Sequence, residues 1–223
     1  MPALDSAVRI VRAALLDAVA VVLPVACSGC GAPDRAVCGR CSANLMGPLL
    51  HRSLGDLDVV SAAAYGGAVA AVVVAFKDGG RTDAAAALGR ALRWAVHGTL
   101  QIPASPPPHI ELAPVPSSRA AYRRRGYRPV ELILRAGRLP FSPVLTVARR
   151  VRDQASLSAE QRKENLSGSL AAKADLGGRT FILIDDVLTT GATLHEAKRA
   201  IEHAGGRVLG AATIASTPLR APP

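Results

Sequence analysis

The sequence predicts an α/β protein built on a parallel sheet flanked by helices, with a small cysteine-bearing element at the N-terminus. Short apolar runs alternate with helical segments through the C-terminal half of the 223-residue chain, a pattern typical of parallel sheets. All four cysteines lie between positions 27 and 41. The length suits one main domain with an appendage. We therefore expect residues 1–50 to form the N-terminal element and residues 51–223 the main domain.

The chain begins with a segment that imitates a secretory signal. Two arginines and an apolar stretch precede Cys27, but Asp17 interrupts the stretch and Pro24 stands where a lipoprotein signal has an apolar residue. The apolar spacing over residues 5–22 is that of an amphipathic helix. We therefore expect a cytoplasmic protein with no membrane span.

The cysteines form two C-x-x-C pairs, and Gly29 and Gly39 within them permit tight turns. Two such pairs, separated by a short loop, can place four thiolates around zinc. Disulfide pairing, a redox pair and an iron–sulfur cluster are the alternatives. Because cysteine fills every position and leaves no site for a substrate water, the metal would be structural. The expected zinc ligands are Cys27, Cys30, Cys38 and Cys41.

The remaining elements follow from apolar periodicity and from glycine and proline signals. Residues 47–55 read as a connector and residues 101–108, rich in proline, as a surface linker. The predicted strands are residues 57–64, 109–113, 144–146, 180–184 and 207–214, and the predicted helices are residues 68–76, 82–96, 129–136 and 193–203. Ligands of open parallel sheets bind at the carboxyl ends of the strands.

A buried strand at residues 181–184 runs into the paired carboxylates Asp185 and Asp186 and then into small, hydroxyl-bearing residues before a helix that Thr193 could cap. Amides at a helix N-terminus bind phosphate, and a neighbouring carboxylate can accept hydrogen bonds from ribose hydroxyls. The order of strand, acids, loop and helix thus predicts a ribose 5-phosphate site. The alternative is a buried strand that leads into an ordinary helix cap.

Residues 181–193, FILIDDVLTTGAT, resemble the 5-phosphoribosyl-1-pyrophosphate (PRPP) motif of type I phosphoribosyltransferases. The two cysteine pairs, Tyr65-Gly66, Phe76-Lys77, Pro114-Val115-Pro116 and the segments 123–132 and 152–166 are similar to successive landmarks of the ComF family. That resemblance implies a type I phosphoribosyltransferase-like fold with a zinc-knuckle element, PRPP bound with Mg²⁺, and, in some bacteria, a part in DNA uptake during competence.

The resemblance also implies roles for individual residues. Asp185 and Asp186 would be catalytic, contacting the ribose hydroxyls directly or through Mg²⁺. The 5′-phosphate would be bound by Thr189, Thr190, Gly191, Ala192 and Thr193. The candidates for a pyrophosphate loop and a flexible loop over residues 149–165 are Val115, Pro116, Ser117, Arg152, Gln154, Arg162 and Asn165. Lys77 is a further candidate. The alternatives are a plain proline turn at residues 114–117, a solvated helix at 157–165 and an ordinary surface role for Lys77.

Charge leaves a second function open. The net charge is +10, with a run of arginines at residues 119–128 in which Arg124 and Arg128 would share a face if both lay on one helix. The leading hypothesis is a phosphoribosyltransferase-like protein that binds PRPP or another phosphorylated ribose, as an enzyme of unidentified acceptor or as a regulator. The alternative is a non-catalytic component that binds single-stranded DNA or competence proteins, mainly through phosphates because aromatic content is only 3%.

Overall fold

The computed structural model describes residues 25–103, 107–148 and 168–218. Within these ranges a three-residue 3₁₀ turn, Thr82–Ala84, precedes the longest helix. The helices are α1 Gly39–Asn44, α2 Gly67–Lys77, α3 Ala85–Leu100, α4 Arg119–Arg125, α5 Pro129–Ala136 and α6 Ala192–His203. The strands are β1 Leu50–Leu54, β2 Leu57–Ala64, β3 Glu111–Pro114, β4 Leu145–Val147, β5 Leu170–Ala172, β6 Thr180–Leu188 and β7 Arg207–Ser216. None of the helices in these ranges has the length and apolarity that crossing a bilayer requires.

The main sheet has the strand order β1-β2-β7-β6-β3. β2, β7, β6 and β3 run parallel, while β1 pairs antiparallel with β2 at the edge. The two-residue connection from β1 to β2 allows only an antiparallel pairing, because a parallel pairing needs a long crossover. The predicted parallel sheet flanked by helices is confirmed, with one antiparallel edge strand.

β6 shows how the sheet is buried on both faces. Ile182 and Ile184 belong to the apolar cluster formed with α2, α3 and α5. Phe181 and Leu183 belong to a second cluster, formed with α6 and the short β4–β5 pair. Successive side chains of a strand point to opposite faces, so the continuous apolar run of β6 fits a strand covered by helices on both sides.

Helices α3 and α5 meet at a pair of glycines. A Cβ atom on Gly89 would lie 2.5 Å from the backbone nitrogen of Gly137. This contact is between backbones, so neither position has room for a side chain. The two glycines therefore set how closely α5 approaches the sheet-covering helix α3.

The structure differs from the sequence-based expectation in the region of the acids. The strand expected to end at Ile184 continues through Asp185 and Asp186 to Leu188, because β7 is long enough to pair with it up to Ser216. The cap of α6 is Gly191, with φ of 81° and ψ of −1°, and Thr193 lies within the first turn. The acids are thus held in a sheet rather than in the loop beyond it.

Two further expectations are corrected by strand pairing. Residues 50–54, expected to be part of a connector, form β1 against β2. The strand expected near residues 144–146 pairs with β5 in a separate two-stranded antiparallel sheet, outside the main sheet. The predicted helix at residues 5–22 and the predicted loop at residues 149–165 lie outside the described residues.

Candidate functional site

The acid pair, Asp185 and Asp186, lies on β6 next to the loop that leaves β3. Pro114 is the register partner of Ile184, and the Val115 amide donates to the Ile184 carbonyl at 2.9 Å. The loop after β3, residues Val115, Pro116 and Ser117, therefore leaves the sheet beside the acids. Of these three residues Val115 is buried, and Pro116 and Ser117 are half-buried. The structure thus brings together two segments that the sequence separates widely.

The two carboxylates of the acid pair differ in their partners. Asp186 is buried, and its Oδ2 atom lies 2.9 Å from Lys77 Nζ. Burial, together with the negative charge of Asp186, raises the pKa of Asp185 to about 7, although the Asp186 amide donates to Asp185 Oδ1 at 2.8 Å and opposes the rise. Two adjacent acids in a low-dielectric site disfavour each other's ionisation. A cation brought to this pair would relieve that repulsion.

The loop between β6 and α6 ends in a glycine that no other residue could replace without strain. Gly191 has φ of 81° and is buried, while Thr189 and Thr190 before it are exposed. Ala192 and Thr193, half-buried, form the first turn of the helix. The first amides of a helix have no partner within the helix and carry partial positive charge. The exposed hydroxyls and these amides are the donors that a phosphate group requires.

The end of β1 and the β1–β2 turn pack against the β6–α6 loop and α6. A Cβ atom on Gly191 would lie 2.3 Å from Leu54 Cδ1. Next to it, Lys198 on α6 donates to the Asp56 carbonyl at 3.1 Å and forms an ion pair with the Asp56 carboxylate. The edge strand missed from the sequence therefore supports the candidate phosphate site.

The arginine-rich segment docks on the end of α2. Arg125 Nη2 bonds Asp78 Oδ1 at 3.0 Å, and the Tyr127 hydroxyl donates to the Phe76 carbonyl. Helix α4 ends at Gly126 in the left-handed conformation, so Arg124 and Arg128 do not lie on one helix face as expected. Arg128 instead contacts Glu131 and the ring of Tyr122. Three arginines of α4, Arg119, Arg123 and Arg124, remain exposed.

The loop candidates Arg152, Gln154, Arg162 and Asn165 lie outside the described residues, but the residues that flank the segment are close together. The Ala148 amide donates to the Ser169 carbonyl at 2.8 Å. On α6, the buried Glu196 accepts from the Leu170 amide at 2.9 Å, and Arg199 donates to the Leu170 carbonyl at 2.9 Å. Helix α6 therefore fixes β5, the strand that follows the segment, as well as the loop before α6.

The cysteine cluster has the geometry of a metal site. The Sγ atoms of Cys27, Cys30, Cys38 and Cys41 all lie within 4.8 Å of one another. Burial opposes ionisation of Cys27, yet the amides of Cys38 and Gly29 lower its pKa to about 6. Burial, with hydrogen bonds from the other thiols, raises the pKa of Cys41 to about 12. Four sulfurs at these distances, with amides directed at Cys27, fit Zn²⁺, which binds thiolates tetrahedrally and deprotonates them on binding.

Two arginines, Arg81 and Arg90, bond the segment that carries the cysteines. Arg81, just before α3, donates to the Ala26 carbonyl at 2.8 Å, and Arg90 on α3 donates to the Ser42 hydroxyl at 3.0 Å. The cysteine-bearing element therefore rests on the face of the sheet covered by α2 and α3.

Lys77 makes the ion pair with Asp186, a contact that the sequence does not predict. One signal for the residue itself was present in the composition. The chain uses arginine for nearly all of its basic residues, with lysine only at positions 77, 163, 173 and 198. Of these four, Lys77 is the last residue of the apolar helix α2.

Comparison with known proteins shows the family of the chain. Residues 124–223 match the family described as phosphoribosyl transferase domain. DNA utilization protein YhgH of Salmonella typhi is 30% identical over 178 residues, which cover 76% of this chain and 74% of that protein. The chain belongs to the ComF family. The predicted family resemblance is confirmed.

Other relatives of this ComF-family chain match over shorter stretches. Competence protein ComFC of Streptococcus pneumoniae is 30% identical over 96 residues, 42% of each chain. Orotate phosphoribosyltransferase of Pyrobaculum islandicum is 38% identical over 77 residues, 34% of this chain and 38% of the enzyme. The chain thus spans well under half of that enzyme and about three quarters of the YhgH protein.

Proposed function

We propose that the chain binds PRPP, or another phosphorylated ribose, together with Mg²⁺. One observation carries the proposal: the acid pair on β6, the β6–α6 loop and the loop after β3 occupy one edge of the sheet. Thr189, Thr190, Gly191, Ala192 and Thr193 would bind the 5′-phosphate. The acids would accept hydrogen bonds from the ribose hydroxyls, and Val115, Pro116 and Ser117 would face the pyrophosphate.

Asp185 and Asp186 would hold the Mg²⁺ ion, since carboxylate oxygens are the protein ligands that it prefers. When bound, the ion would neutralise charge that develops on the pyrophosphate as its bond to the ribose weakens. The acids themselves would orient the ribose and favour positive charge at its anomeric carbon. Arg152, Gln154, Arg162 and Asn165 are proposed as further members, on the segment between β4 and β5.

We also propose a structural Zn²⁺ ion at the four cysteines, in an element that comprises residues 1–50 and is distinct from the domain of residues 51–223. The mutual distances of the sulfurs support the ion. Thiols kept free for a metal suit a reducing compartment, which supports a cytoplasmic location.

Isothermal titration of the zinc-loaded protein with PRPP and Mg²⁺ tests the ligand. We expect saturable binding that Asp186→Asn weakens at least about tenfold, equivalent to about 1.4 kcal/mol. Asp58→Asn, which neutralises an exposed acid on β2, should leave binding unchanged. Absence of heat from the wild-type protein would overturn the proposal.

Catalysis is a separate step from binding. Release of pyrophosphate from PRPP in the presence of a panel of nucleobases would identify an enzyme and its acceptor class. Tight binding without pyrophosphate release would instead favour a regulator that senses PRPP.

A second candidate function is binding of single-stranded nucleic acid. The exposed arginines of α4 and the net charge of +10 favour this function. The names of two relatives, a DNA utilization protein and a competence protein, also favour it. Fluorescence anisotropy with single-stranded DNA over a salt series tests it. Losing two phosphate contacts in Arg123→Gln/Arg124→Gln should reduce the slope of log K against log salt by about 1.4. Arg138→Gln/Arg207→Gln removes the same charge elsewhere on the surface and should not. Binding that is absent or insensitive to salt contradicts this candidate.

A further inference from the structure

Lys77 occupies an unusual place at the end of α2. Its side chain is 28% exposed and its Nζ atom lies 2.9 Å from Asp186 Oδ2, on a carboxylate that is only 11% exposed. The residue ends the helix, where unpaired carbonyl groups favour a cation. Among the described residues, no other ion pair within 4.0 Å involves Asp185 or Asp186. Lys77 is therefore the resident counter-ion of the acid pair.

The other charge close to Lys77 pushes it towards the acids. Arg125 is 14% exposed and is bonded to Asp78, the residue after Lys77. The positive charge of Arg125 repels Lys77, while the negative charges of Asp185 and Asp186 attract it. Lysine carries its charge on a flexible stem with rotatable donors. Its position thus depends on the acids remaining negative and free of another cation.

A divalent cation would change that balance. Mg²⁺ and Mn²⁺ bind carboxylate oxygens. Such an ion would compete with the Lys77 ammonium group for Asp186 Oδ2. A cation that takes the acid pair would release an ammonium group at the edge of the sheet where the loop after β3 begins. A polyphosphate arriving with the metal would be the strongest available partner for that group.

We propose that Lys77 is a placeholder cation, which a divalent metal displaces from Asp186 and which then binds the pyrophosphate end of the ligand. The inference rests on the proposed function for its second half only, because displacement by a metal needs no PRPP. Lys77 would neutralise Asp186 before the ligand arrives and would bind the pyrophosphate afterwards.

The displacement is tested with Mn²⁺ alone, measured by the loss of the free-ion signal in electron paramagnetic resonance. We expect Lys77→Met to bind Mn²⁺ about three- to tenfold more tightly than the wild-type protein, because the competing charge is gone. Lys77→Arg keeps the charge and should stay near wild type. Lys173→Gln, a lysine whose described bond is to the Pro143 carbonyl, is the matched control and should also stay near wild type. Unchanged or weaker Mn²⁺ binding by Lys77→Met would overturn the displacement.

The second half is tested by titrating PRPP at saturating Mg²⁺. We expect Lys77→Met to lose about tenfold in affinity and Lys77→Arg to recover most of it. Unchanged PRPP affinity in Lys77→Met would overturn the transfer to pyrophosphate. Failure of the wild-type protein to bind PRPP would defeat the proposed function, while the Mn²⁺ titration would still decide the displacement. A melting temperature of Lys77→Met close to that of the wild-type protein establishes that the fold is intact. Lys77→Gln serves as a second variant in the same measurements.

Discussion

Replacement of Gly191 by alanine tests the construction of the β6–α6 loop. The glycine has φ of 81°, a conformation that costs a residue with a Cβ atom about 1–2 kcal/mol. The added Cβ would also lie 2.3 Å from Leu54 Cδ1, and overpacking of this kind costs about 1–3 kcal/mol. We therefore expect Gly191→Ala to lower the free energy of unfolding by about 3 kcal/mol in total.

The two contributions can be separated with a second substitution. Leu54 meets the new atom with the far end of its side chain, so Leu54→Ala removes the overlap and leaves the backbone conformation as it was. In the Leu54→Ala background, Gly191→Ala should cost only about 1–2 kcal/mol. The double-mutant cycle should thus show a coupling of about 1 kcal/mol or more.

Urea unfolding of the four proteins, followed by circular dichroism, measures these values. Titration with PRPP and Mg²⁺ should show in parallel that Gly191→Ala weakens binding, since the amides around this position would be displaced. Equal costs in both backgrounds would refute the contact with Leu54. A stable Gly191→Ala protein would refute the conformational argument as well.

Three further predictions concern stability. The Arg179 guanidinium holds the pKa of Glu111 at about 2, against 4.5 ordinarily, so this stabilisation should be complete above about pH 5 and lost as pH falls towards 2. Because both side chains are about a third exposed, solvent screening limits this stabilisation to about 1 kcal/mol. In urea unfolding, the difference in free energy of unfolding between the wild-type protein and Glu111→Gln should therefore shrink in acid. A difference that stays constant with pH would contradict the ion pair. Gly89→Ala should cost at least about 2 kcal/mol in urea unfolding, even though alanine favours helices, because its Cβ would meet the backbone of Gly137; an unchanged midpoint would contradict that contact. Cys41→Ser, or a strong chelator, should remove zinc measured by atomic absorption and lower the melting temperature by about 5 °C or more; a zinc-free wild-type protein with the same melting temperature would contradict the metal site.

Much of the fold was predictable because its signals are local. The strand β2 and the helix α5 lie where apolar periodicity and the proline at the helix start predicted them. The run of residues 181–184 was predicted to be a strand covered on both faces, and both faces are covered. The type I motif and the two cysteine pairs were recognisable because the residues of each pattern are near neighbours in the chain. The roles of the individual site residues stay predictions.

The errors arose where a partner strand decides the outcome. β6 extends past the acids because β7 supplies hydrogen bonds up to Ser216, and the polar residues Asp185 and Asp186 give no local sign of this. β1 has alternating exposure and only five residues, too short a pattern to distinguish from a connector. The strand at β4 was expected in the main sheet, but only the position of β5 decided where it pairs.

The sequence alone indicated the family, the order of strands and helices along most of the chain, and the residues of two candidate clusters, the cysteines and the segment from Asp185 to Thr193. It could do so because those residues are neighbours in the chain. The tertiary structure decided which distant groups meet them: Lys77 at Asp186, Leu54 at Gly191, and the loop after β3 beside the acids. These contacts depend on sheet order and helix packing, which arise from burial of apolar surface across the whole domain and leave no mark on the residues that are brought together.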